Sequence, residues 1–199
     1  LSKYSDFTIT CQGHVLKVHR AFICPQLKPL AACIEGGFKE STIGEITLDH
    51  DDPQAVHKMI SFFYTQTYTL DETASDALLS HTRIYIIADK YDVPLLKKLS
   101  SENFGEAAID YSFRKSLQMI YDELPESDRG LREFAIEKGW KNLFPMMEVK
   151  EFVDLLKENP NIGVDILKVG SQATQDATHY VRYSRGPSHH PVCTCYECC

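Results

Sequence analysis

The stretch Ser5-Asp6-Phe7-Thr8-Ile9-Thr10-Cys11-Gln12-Gly13-His14-Val15-Leu16-Lys17-Val18-His19-Arg20 decides how this chain is read. Phe7, Ile9 and Cys11 alternate with polar neighbours, which is the period of a half-buried strand. Gln12-Gly13 follows as a hairpin turn, and a second short strand runs from Val15 to Val18. A helix then starts near His19. The unit therefore carries an acid, Asp6, at the start of its first strand and His19-Arg20 at the end of its second.

Downstream, Ala21-Phe22-Ile23 and then Leu27, Leu30 and Ile34 predict two short helices broken by Pro25, with Gly36-Gly37 ending the second. Ile46 and Leu48 alternate with polar residues and predict a third short strand. Asp52-Pro53 is a helix start, with Asp as N-cap and Pro at the first helical position. Val56, Met59, Ile60 and Phe63 follow at i, i+3, i+4 and i+7, one buried helical face. Ile84, Ile87, Ala88 and Tyr91 mark a further helix from about Ser75 to Asp92. Pro94 opens the next, whose buried side is expected to carry Leu95, Leu96, Leu99 and Phe104. Strands gathered early with helices after them fit an α+β fold better than a wound α/β sheet.

The second half reads as all helix. Phe113, Leu117, Ile120, Tyr121 and Leu124 form one stripe that Pro125 ends, and Leu131, Phe134 and Ala135 form another. Val149, Phe152, Val153 and Leu156 repeat the helical spacing. Asn159-Pro160-Asn161 is a breaker, and a weaker helix with Ile162, Ile166 and Leu167 is expected to fade at Gly170. From Ser171 the apolar content collapses, which predicts a flexible His- and Cys-rich tail over 171–199.

At 43 % hydrophobic and 25 % charged residues, the 199-residue chain has the balance of a globular protein with one sizeable core or a core and an annex. A net charge of -7 argues against a nucleic-acid partner, which would call for a basic patch. No apolar run approaches the roughly 20 residues that span a bilayer, so no membrane partner is expected. The chain opens on Leu1 with no signal-peptide pattern, which suggests a trimmed piece. Of seven cysteines, Cys11, Cys24 and Cys33 sit on apolar faces, and four crowd into the last seven residues. That odd, uneven set is unlike a secreted disulfide framework and favours a cytoplasmic or nuclear home.

The opening stretch resembles the start of a BTB/POZ domain. Later blocks extend the resemblance in order: Phe38-Lys39-Glu40; Ile46-Thr47-Leu48 with Asp51-Asp52-Pro53; Val56, Met59-Ile60, Phe63-Tyr64-Thr65 and Tyr68; and Ala88-Asp89-Lys90-Tyr91-Asp92 with Leu96. The layout is similar to short fungal-type BTB proteins with a helical C-terminal region and a Cys-rich tail. The resemblance implies a small three-stranded sheet capped by a cluster of helices over residues 5–108, followed by an all-helical annex over 109–170. It also implies a non-enzymatic protein-binding module that forms a homodimer or associates with other proteins. Asp6 and Arg20 match the acid and base that line the central pocket of BTB dimers; a pairing within one subunit, tying strand to helix, is the competing reading. Phe38 and Glu40 match the apolar-x-Glu pair through which some members contact a cullin scaffold of a ubiquitin ligase. Against that stands the reading of Phe38 as core and Glu40 as solvated surface.

Other constellations point to chemistry less directly. Asp49-His50-Asp51-Asp52 holds metal-ligand residue types, yet Asp52 serves as a helix cap and its neighbours fit a solvated turn. His19 has no accompanying nucleophile motif and reads as a structural histidine. No G-x-S-x-G, phosphate-cradling Gly loop or H-E-x-x-H occurs, so no cofactor is expected within the folded part. In the tail, Cys195 and Cys198 form a C-x-x-C, and Cys193 and His190 would complete a tetrahedral zinc set. A disordered end with reactive thiols is the alternative. A zinc-dependent nucleic-acid module in the tail would want more cations than Arg182 and Arg185 supply.

Overall fold

The computed structural model describes residues 3–28, 31, 42–70 and 75–184, with side chains through 172. Strand β1 (Phe7–Cys11) buries Phe7, Ile9 and Cys11 and turns Thr8 and Thr10 outward. The hairpin to β2 (His14–Val18) closes through Gln12 and Gly13, both at positive φ (46° and 82°). Two left-handed residues match the right-handed strand twist, and glycine takes the second at no steric cost. Cys11 faces His14 and Phe7 faces Val18 across this antiparallel pair, so β2 starts one residue earlier than expected. Strand β3 (Glu45–Thr47) lies parallel on the other side of β1, giving the order β2-β1-β3.

Helix α1 (Arg20–Ile23) follows β2 directly. Leu27 beyond Pro25 is buried, while Leu30, Ile34 and Gly36-Gly37 lie outside the described residues. In α2 (Pro53–Thr65), the Asp52 carboxylate accepts the Ala55 N–H at 2.9 Å and Pro53 occupies the first position, as expected. Val56, Met59, Ile60 and Phe63 are all buried, again as the spacing requires. Helices α3 (Ala77–Lys90) and α4 (Pro94–Glu106) pack on each other and on this core.

Five further helices complete the described chain: α5 (Phe113–Glu123), α6 (Gly130–Lys141), α7 (Leu143–Met147), α8 (Lys150–Glu158) and α9 (Pro160–Ser184). Their core gathers Phe113, Leu117, Ile120, Leu131, Ala135, Phe152, Ile162 and Ile166. Leu78, Tyr85 and Phe104, from α3 and α4, belong to this second core rather than the first.

Several expected core positions face elsewhere. Leu95 is 65 % exposed, because adjacent helical residues point about 100° apart and Leu96 takes the inward direction. Phe134 is exposed at its edge and lies on Gly105, where a Cβ would stand 2.7 Å from its ring. On α8 the inward pair is Phe152 and Leu155, so Val149 is left exposed. Leu167 is exposed as well. Helix α9 continues through Gly170 to Ser184, past the boundary at 171 from which a tail was expected. Among the described residues, no helix is long and apolar enough to cross a membrane.

Candidate interaction surface

Asp6 precedes β1 and lies beside the first turn of α1. The sheet places it there: the Asp6 N–H donates to Val18 O at 3.2 Å, next to the Phe7–Val18 pair. The bond between Asp6 and Arg20 runs to the main chain, Oδ1 accepting the Arg20 N–H at 2.8 Å. The N-cap residue His19 makes no side-chain cap, so Asp6 supplies from a neighbouring segment the acceptor that a helix start needs. The Arg20 guanidinium lies over the Phe7 ring at 5.0 Å, a cation–π arrangement on the strand's first core residue. Gly44, at φ +74°, passes under both: its carbonyl accepts from Thr8 N, and a Cβ there would be 3.8 Å from Arg20 Nη2. The structure therefore brings the two expected residues together, with Asp6 exposed and Arg20 half-buried.

His19 is half-buried and saturated with partners. Its Nε2 faces the Lys3 carbonyl at 3.0 Å, which can only accept, so Nε2 carries the proton in the neutral ring. Nδ1 then accepts from the Tyr64 hydroxyl at 3.0 Å, and that hydroxyl accepts the His19 main-chain N–H at 2.9 Å. This is a structural histidine, tying the N-terminal segment and α2 to the start of α1. Tyr64 also stacks on Phe22 with centroids 5.2 Å apart. Phe22 nevertheless remains 53 % exposed, with Tyr4 at 82 % and Ile43, adjoining Gly44, also open. Tyr4, Phe22 and Ile43 thus leave exposed apolar area on segments beside Asp6 and Arg20, a combination sequence reading missed because periodicity does not distinguish an outward aromatic on a four-residue helix.

The three carboxylates of the acidic turn each have a partner, while Asp49 and His50 stay exposed to solvent. Asp49 Oδ1 accepts from Gln12 N at 2.6 Å, and Asp51 pairs with Lys90 at 2.6 Å while accepting from the Tyr91 hydroxyl at 2.7 Å. Burial, and then the Asp51 carboxylate, raise the Tyr91 phenol. Asp52 caps α2 and lies 3.5 Å from Arg83. Among the described residues, no three His, Cys, Asp or Glu side chains cluster to hold a metal ion. Cys193, Cys195, Cys198 and His190 lie outside the described residues, as do Phe38 and Glu40.

A second surface lies in the annex. The segment after α4, with α5, α7 and α8, encloses a groove of about 570 Å³. Ile109, Tyr111, Pro145, Met146 and Val149 line its apolar part, with Arg114 and Glu151 among its charged residues. Phe144 on α7 is 86 % exposed, adding apolar area on that helix.

The BTB/POZ domain family model matches residues 1–105, just over half of the chain, and the chain belongs to the BTB/POZ family. The three-stranded sheet with its following helices is the α+β arrangement expected of that family. A BTB/POZ domain is a protein–protein interaction module of a generally non-enzymatic kind, so the partners of this chain are proteins.

Proposed function

We propose that this chain self-associates through the face built by β1, α1 and the turn before β3, with Asp6 and Arg20 near its centre. The observation that supports this most is the exposure of Tyr4, Phe22 and Ile43 on segments beside Asp6 and Arg20, whose hydrogen bond to each other already caps α1 within one chain. Exposed aromatics beside a half-buried arginine have the composition of an interface core. Light scattering over a concentration series tests the reading. The intact chain is expected at twice the chain mass, with Phe22→Asp reduced to a monomer of unchanged helical content. Asp6→Asn keeps the oxygen that caps α1 and removes only the charge, so a weaker dimer with unchanged melting would assign the carboxylate to the seam. A monomeric intact chain at all concentrations would sink the proposal.

The family resemblance of Phe38-Lys39-Glu40 supports a second reading, recruitment of a cullin-type ubiquitin-ligase scaffold, and the annex groove adds an apolar surface that such a contact could extend onto. Titrating the chain against a cullin N-terminal region separates the two. Micromolar or tighter binding that is lost in Phe38→Ala and Glu40→Ala, and weakened at least tenfold by Val149→Asp on the groove, would make it a ligase adaptor. No binding by the folded chain would remove that reading and leave self-association standing.

A further inference from the structure

We draw no further inference here: the strongest candidate, the polar cavity of about 490 Å³ between α5, α6 and the first turns of α9, carries no ligand argument, because its cations Arg129, Arg132 and Lys168 share the lining with Glu126, Glu158 and Asp165, and Arg132 already donates to carbonyls at the end of α5.

Discussion

His81 is a buried histidine whose Nδ1 lies 2.8 Å from the Tyr68 hydroxyl. Burial disfavours its charged form and pushes its pKa down to about 4, against a smaller opposing pull from Asp110. The unfolded chain titrates near 6.5, so between these values it takes up a proton that the folded chain refuses. Stability from this site is therefore whole above pH 6.5 and falls as pH drops toward 4, by roughly 3 kcal/mol in full. Carboxylates held low, such as Asp128, tilt the profile the same way, so the variant comparison is the useful readout. His81→Gln is expected to lose less melting temperature than the parent chain between pH 7.5 and 4.5; equal losses would show that the imidazole carries no such penalty. Gly170 teaches a different lesson at this scale. It reads as a helix stop in sequence, yet the Trp140 ring occupies the space where a Cβ would stand. A glycine chosen for close packing and one chosen for its backbone look identical until the neighbour is known.

Among the elements, α2 and α3, two of the long helices of the first half, have starts of unequal legibility. For α2 the cap, the proline and the buried face all lie within a dozen residues, so Asp52-Pro53 and Val56 to Phe63 could be read directly. For α3 the N-cap residue Asp76 makes no side-chain cap. Its start is instead satisfied from more than 30 residues away: Asp110 Oδ2 accepts from Leu78 N at 3.2 Å, and Ser112 Oγ accepts from Leu79 N at 3.1 Å. Ser112 in turn donates to Asp110 Oδ1 at 2.6 Å. Local patterning holds no trace of such a cap, and for the same reason the Phe22–Tyr64 stack at the candidate interface stayed hidden while Asp6 and Arg20 could be picked out. Because Ser112 is buried, Ser112→Ala strands the Leu79 N–H and is expected to cost about 1–3 kcal/mol in urea unfolding. Ser75→Ala, at an exposed hydroxyl 3.3 Å from Tyr111, is expected to stay within about 0.5 kcal/mol. If both variants unfolded at the parent midpoint, the distant cap would contribute nothing.

Across the whole molecule, the family match ends at residue 105 but the packing does not. Lys97 on α4 bridges Asp89 at 2.5 Å and Asp128 at 2.6 Å, and the Tyr85 hydroxyl donates to the other Asp128 oxygen at 2.7 Å. Burial alone would raise the Asp128 carboxyl, but the bonds from Lys97 and Tyr85 outweigh it and hold it low. On the opposite side, Lys138 of α6 donates to the Gly105 and Ala107 carbonyls at 3.0 and 2.7 Å, closing the C-terminal end of α4. Leu78, Tyr85 and Phe104 belong to the core that is otherwise built mostly from residues beyond the match. Exposing these three side chains forfeits roughly 5 to 9 kcal/mol, at about 1.5–3 kcal/mol each. Total stabilities of single domains run about 5–15 kcal/mol, so that loss is comparable to everything holding the first half folded. A chain cut after Ala108 is accordingly expected to unfold at far lower urea than the full chain or to aggregate, and the full chain to unfold in one transition by both circular dichroism and Trp140 fluorescence. Trp140 reports from the annex, so two separated transitions, or a truncated chain matching the full one in stability, would mean that the annex merely rests against an independent first half. In the expected outcome the annex helps hold the candidate interaction face in shape, and substitutions at Lys97 or Asp128 would weaken the proposed self-association without touching that face.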